Sequence, residues 1–508
     1  MERDKAKLIL DKDYQISKID NRIFGSFVEH LGRCVYGGVY DPSHPSADEE
    51  GFRQDVIDMV NELNVPMIRL PGGNFVSTYI WEDGVGPREK RPRKPDLAWK
   101  SIETNEIGTN ELMSWLKKVN AEAMMTVNIG TRGILDALNL LDYCNRSEGT
   151  FYSDLRRAHG FKDPYKIKTW AVGNELDGVW QVGQKTPMEY ARIARETAKA
   201  MKRQDNTIEI VAAASAGMES DTFGEWEQTV LQEGYEFIDY LSLHQYYLNK
   251  EKDTPNFLAK TLEFDDYIKS IGSLIDYMKI KNKSKRDIHI SLDEWNVWYH
   301  NRDKDNQSVK ERQEPWPIAP AILEEPYNFE DALVTGAMLI ALLRNSDRVK
   351  IAAFAQLVNV LAPIMTETGG GIWKQSIFYP IYYSSRYGRG TALQPIIKSP
   401  KYDSKDFTDV PFIDAVAVLN EKENEISIFC INKSTEEDIL LNCDFKSFGE
   451  FEIIEHIALE NKDCYAVNTL YAPTKVTPIK KTIPNYTAMD LNFSLGKLSW
   501  NMIRLKIK

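Results

Sequence analysis

The chain has 508 residues, long enough for two or more domains and an ample core. Hydrophobic residues make up 43% and charged residues 27%, the balance of an ordinary globular protein. Lys plus Arg number 63 and Asp plus Glu 75, a net charge of −12 that argues against a nucleic-acid surface.

At the N-terminus Leu8, Ile9 and Leu10 are the only apolar run before Asp11-Lys12-Asp13. Three apolar residues are too few for a secretory core or a membrane span, so no membrane association is expected. Five cysteines lie far apart with no Cys-x-x-Cys, as free thiols would in a reducing cytoplasm. Seven histidines show neither His-x-His nor His-Glu-x-x-His, so neither a metal nor another cofactor is expected.

Short apolar strands and amphipathic helices then alternate. Strands are expected at 23–29, 66–70, 124–129, 168–174, 208–213, 240–244, 288–293 and 351–357. Eight such runs with helical patterns between them predict an α/β fold, a (β/α)₈ TIM barrel. Phe52, Val56, Val60 and Leu63 recur at helical spacing behind the acidic Asp48-Glu49-Glu50. Thr186-Pro187-Met188-Glu189 is a capping box with proline at the first helical position, and Ile193, Ala194 and Met201 continue one face. Two connections, about 75–110 and 300–328, are unusually long. On a barrel such loops surround the active site, although they also suit contacts between subunits. Near residue 386 the period changes to two, with strands at 415–419, 426–431, 452–457 and 500–507. This predicts a C-terminal antiparallel β-sandwich that the segment 7–16 joins. The domains expected are a catalytic barrel over 18–385 and a sandwich built from 1–17 and 386–508.

The chemistry lies at the strand ends. Trp170-Ala171-Val172-Gly173-Asn174-Glu175 and His289-Ile290-Ser291-Leu292-Asp293-Glu294-Trp295 each run into a glutamate. Cleavage of a glycosidic bond with retention needs two carboxylates facing one carbon, and a barrel supplies them from different strand ends. The other ends are polar too: Glu29-His30, Arg69-Leu70-Pro71-Gly72-Gly73-Asn74, Asn128, His244-Gln245-Tyr246 and Gln356. Polar groups crowded on one rim need each other or a polyhydroxylated ligand. Each has a plainer reading. Glu29 could form a structural ion pair with Arg69, His244 could be a satisfied core histidine, and Trp99, Trp180 and Trp298 could be core packing.

Four segments together resemble family 51 of the glycoside hydrolases, the intracellular α-L-arabinofuranosidases. They are Phe24-Gly25-Ser26-Phe27-Val28-Glu29-His30, Arg69 to Asn74, Trp170 to Gly178 and Asp293-Glu294-Trp295-Asn296-Val297-Trp298. The likeness runs along nearly the whole chain. It implies Glu175 as acid/base and Glu294 as nucleophile. It implies sugar contacts from Glu29, Asn74, Asn174, Tyr246 and Gln356, support from Arg69 and His244, and a site mouth shaped by Trp298 and Trp99. It also implies an exo-acting retaining enzyme for arabinose-containing oligosaccharides and a homo-oligomer, commonly a hexamer. Another retaining clan member, an endoglucanase or β-xylosidase, would share the chemistry and differ only in its pocket. A carbohydrate-binding protein with an inactive barrel would not need both glutamates.

Overall fold

The computed structural model describes residues 4–484, 486 and 491–508. Eight parallel strands close into a barrel: β1 (Gly25–Phe27), β2 (Met67–Leu70), β3 (Glu122–Val127), β4 (Thr169–Val172), β5 (Glu209–Ala213), β6 (Tyr240–Tyr247), β7 (His289–Val297) and β8 (Val349–Phe354). Helices cover the outer faces, which is why the strands read as unbroken apolar runs. Met67, Met124, Ala171, Val211, Tyr240 and Ile351 pack as one cluster, and Phe27, Ala353 and Ala355 form another with Tyr246. At the opposite end Arg22 donates to Asp20, Glu209 and the Tyr240 hydroxyl.

All eight strands are found, with boundaries that differ from the sequence reading by up to four residues. The first strand starts late because Asn21–Phe24 forms a 3₁₀ turn, capped by the Asp20 carboxylate on the Arg22 amide. The sixth and seventh run three and four residues beyond their expected ends, to Tyr247 and Val297. Their pairing shifts between Ser242 and His244, so that His244 lies opposite Glu294. A second shift, against β8, falls between Leu292 and Trp295. Such bulges re-aim side chains beside active sites.

The C-terminal part is two sheets around a core that includes Leu8, Ile428, Phe493 and Ile503. One has seven strands, all antiparallel, with Glu425–Asn432 and Ser499–Ile507 near its middle. The other has four: Ile396–Lys398, Lys5–Ile9, Ile439–Asp444 and Leu491–Leu495. The N-terminal segment is two strands rather than one. Asp11 breaks it, accepting Asp13 N–H on its carboxylate and Tyr14 N–H on its carbonyl. Lys5–Ile9 then enters the smaller sheet, parallel to Ile439–Asp444, while Gln15–Lys18 edges the larger. That parallel pair departs from the purely antiparallel expectation. The helix Phe329–Arg344 is apolar on every side and sits between barrel and larger sheet. Gly336 permits this approach, since a Cβ there would stand 2.3 Å from Trp500 Cδ1.

The two long connections have structure of their own. The first holds a hairpin, Lys94–Asp96 with Ser101–Glu103, and Trp99 at its turn. The second holds the helix Arg302–Glu311. They clasp each other: Arg312 Nη1 donates to the Trp99 carbonyl at 2.8 Å, Lys100 Nζ to the Lys310 carbonyl at 2.6 Å, and Ile102 N–H to the Pro317 carbonyl at 2.9 Å.

Candidate active site

A cavity of about 400 Å³ opens at the C-terminal mouth of the barrel. Glu29, Asn74, Trp99, Glu175, Tyr246, Glu294, Trp298 and Gln356 line it, so these sequence-expected residues converge on one wall. Arg69, Asn174 and His244 are buried behind the lining and hold it. A larger groove, about 530 Å³, runs between Tyr402, Phe412 and Lys433, shares no residue with the barrel mouth and receives no barrel-strand ends.

Glu175 and Glu294 face each other. One oxygen of each, together with a nitrogen of His244, lie within 4.8 Å of one another. Glu294 is held from both sides: Arg69 Nη1 donates to Oε1 at 2.6 Å and the Tyr246 hydroxyl to Oε2 at 2.9 Å. The backbone makes room, because a Cβ on Gly73 would stand 2.9 Å from Glu294 Oε1 and 3.3 Å from Asn174 Nδ2. Glycine at 73 thus serves a carboxylate of the protein itself.

Glu175 follows β4 with φ of 45°, the left-handed region that a β-carbon disfavours, at a cost of about 1–3 kcal/mol. Its Oε1 lies 2.8 Å from His244 Nδ1, and its Oε2 accepts Trp180 Nε1–H at 3.1 Å. Burial, reinforced by the charge of Glu294, raises the Glu175 carboxyl above its ordinary range, against the opposing pull of His244. His244 Nε2 lies 3.1 Å from Asp293 Oδ1, which also accepts from the Ser242 hydroxyl at 2.5 Å. Burial opposes charge on Asp293, but Arg69, His244 and Ser242 outweigh it and hold the carboxyl below its ordinary range. Asp293 therefore accepts the Nε2 proton, leaving Nδ1 to share a proton with Glu175. Burial likewise opposes a charged imidazole at His244, yet Glu294, Asp293 and Glu175 push it up to about 10.

Glu29 makes no ion pair with Arg69. Its Oε1 accepts Phe75 N–H at 2.8 Å and Trp99 Nε1–H at 3.2 Å, and its Oε2 accepts Gln356 Nε2 at 3.3 Å. Burial dominates and, despite those donors, pushes it up to about 8, which favours the protonated carboxyl at neutral pH. Trp99 and Trp298 line the cavity, and Trp180 is 54% exposed beside it, so none of the three is simple core.

Sequence reasoning missed Asp293, Ser242 and Gln181. Asp293 and Glu294 are chain neighbours that a regular strand would send to opposite faces, yet the bulge lets both reach Arg69. Gln181 lies in a loop with no periodicity to mark it. It donates to Asn74 Oδ1 and accepts the Ser77 hydroxyl at 2.8 Å.

Comparison with known proteins places this geometry. Two family models match, the α-L-arabinofuranosidase 1 domain over residues 59–269 and the α-L-arabinofuranosidase C-terminal domain over 293–499. An intracellular exo-α-(1→5)-L-arabinofuranosidase of Halalkalibacterium halodurans is 53% identical over 98% of this chain and 99% of its own length. The chain belongs to the family 51 α-L-arabinofuranosidases. A second such relative, the intracellular exo-α-(1→5)-L-arabinofuranosidase of Acetivibrio thermocellus, is 54% identical over 99% of each chain. The solved structure of a family 51 α-L-arabinofuranosidase from Bifidobacterium longum superposes with a TM-score of 0.94 at 42% identity, covering 98% of this chain and 99% of that one. In this arabinofuranosidase, among the described residues, no helix is long and apolar enough to cross a membrane.

Proposed function

We propose that this α-L-arabinofuranosidase removes single terminal arabinofuranosyl residues from the non-reducing ends of arabinan or arabinoxylan oligosaccharides by double displacement. The carrying observation is the approach of Glu175 and Glu294 to within 4.8 Å. Retaining enzymes hold their carboxyl groups about 5–5.5 Å apart, whereas inverting ones need about 6.5–9.5 Å to admit a water.

Glu294, aimed by Arg69 and Tyr246, attacks the anomeric carbon. Glu175 gives its proton to the departing oxygen, and the C–O bond to the leaving sugar breaks as the ester to Glu294 forms. Esterification removes the negative charge that helped raise Glu175. Its pKa falls, and it then takes a proton from the water that cleaves the ester. Asn174 Nδ2 spends one hydrogen on Asn74 Oδ1, and we assign its second to the sugar 2-hydroxyl, a contact expected to strengthen as positive charge develops on the ring. Glu29, Asn74 and Gln356 would hold the remaining hydroxyls.

The names of the relatives support (1→5)-linked termini and action inside the cell, where short oligosaccharides rather than polymers would be met. The family likeness also supports a hexamer, which sedimentation velocity would measure. Proton NMR of the first product tests the mechanism. The α-anomer of arabinofuranose should appear before mutarotation, and the β-anomer would exclude double displacement.

A further inference from the structure

The helix Arg302–Glu311 carries three basic and three acidic side chains, and it sorts them by face. Arg302, Asn306, Val309 and Lys310, at helical spacing, line the cavity. The acids are engaged elsewhere. Asp303 pairs with Lys250 at 2.6 Å, the one ion pair of this helix among the described residues. Asp305 is buried and accepts Leu323 N–H at 2.7 Å, and Glu311 accepts the Gln307 amide. Arg302 is fixed at the wall, its guanidinium 4.6 Å from the centre of the Trp298 ring. A molecule of net charge −12 thus presents beside its cavity two cations that, among the described residues, are in no ion pair with a carboxylate.

Their place in the reaction follows from Glu175. The acid must reach the departing oxygen, so the leaving sugar occupies the part of the cavity on the solvent side of Glu175 and Glu294, both of which are buried. Arg302 is half-buried and Lys310 exposed, so among the lining residues both stand on the solvent side of the buried carboxyls. A neutral sugar offers them no counter-charge. A sugar acid does, and guanidinium pairs well with a carboxylate.

We propose that Arg302 and Lys310 form an aglycone subsite for a carboxylate-bearing leaving group, a hexuronate in the oligosaccharide from which arabinofuranose is removed. This rests on the glycosidase reading above. The reaction is unchanged; the cations add affinity and orientation for an acidic aglycone.

The test compares two substrates of one skeleton, an arabinofuranosyl oligouronide with its carboxylates free and the same compound methyl-esterified. At low ionic strength kcat/KM for the free acid should exceed that for the ester about fivefold, since two partly exposed ion pairs each contribute modestly. The ratio should shrink as salt shortens the screening length. It should approach one in Arg302→Gln/Lys310→Gln and drop below one in Lys310→Glu. A ratio of one or less in the parent protein, or a preference that survives the double substitution, overturns the proposal. Failure to release arabinose from the two uronides while neutral arabino-oligosaccharides are cleaved overturns this inference alone, and failure on the neutral compounds as well overturns the glycosidase reading and this inference with it.

Discussion

Asn174 takes the Arg69 guanidinium on its carbonyl oxygen, at 2.5 Å, and that contact sets the polarity of the amides beyond it. A guanidinium only donates, so Asn174 must turn Nδ2 away, and it reaches Asn74 Oδ1 at 3.3 Å. Gln181 Nε2 donates to the same oxygen. The Asn74 NH₂ is then left to face the cavity. Gln181→Met should free Asn74 to flip and lower kcat/KM about tenfold, ~1.4 kcal/mol, mainly through KM. Altered stability with unchanged kinetics would make Gln181 a packing residue only.

Glu175→Ala should cost about 10²–10⁴ in kcat on alkyl or sugar leaving groups and far less on activated aryl arabinofuranosides, which depart without a proton. Glu294→Ala should abolish turnover on both. A plot of log kcat against leaving-group pKa checks this: equal losses of Glu175→Ala at all pKa values would remove Glu175 from the acid role.

His244 lowers the Glu175 carboxyl through its hydrogen bond and charge, against the larger lift from burial and Glu294. Removing the imidazole should leave Glu175 protonated to higher pH. His244→Gln is therefore expected to move the alkaline limb of the kcat/KM profile upward and to lower kcat about 10–100-fold. A purely structural histidine would change Tm and leave both limbs in place.

Glu29 gives a stability prediction. Burial raises its pKa from 4.5 to about 8. Between those values the native state keeps a proton that the unfolded chain gives up, so stability falls as pH rises through that window. In Glu29→Gln this contribution is absent. The variant's Tm relative to the parent should climb from pH ~5 to pH ~8 by the equivalent of on the order of 4 kcal/mol, then level. The slope is diagnostic, because a glutamine also sets its NH₂ against Gln356. Parallel pH curves for the two proteins would contradict a neutral Glu29.

Glu175, His244 and Glu294 also meet the spacing of a cation-ligand set. If Nδ1 of His244 instead shares a proton with Glu175, prolonged dialysis against EDTA should leave the initial rate unchanged. A tenfold loss restored by a divalent ion would reassign the three groups to a metal.

The barrel was legible because parallel strands buried on both faces are apolar throughout, and amphipathic helical patterns alternate with them. Glu175 and Glu294 were legible for a geometric reason: one direction of travel puts every strand's C-terminal end on one rim. Their supports were harder to see. Two bulges bring Asp293 beside Glu294 and His244 opposite it, and bulges leave no periodic trace. The helix Arg302–Glu311 is polar on all sides, so no apolar stripe announces it. Lys7 to Ile16 looked like one strand because alternation ignores the turn at Asp11.

The clasp between the Trp99 hairpin and the segment around Lys310 and Arg312 makes cleft width a joint property of two stretches far apart in the chain. Exchanging one alone strands the guanidinium of Arg312 or the ammonium of Lys100 without the carbonyls that receive them. Refashioning this fold for a bulkier, branched donor therefore calls for paired replacement, and divergence within the lineage should show the two stretches changing in step.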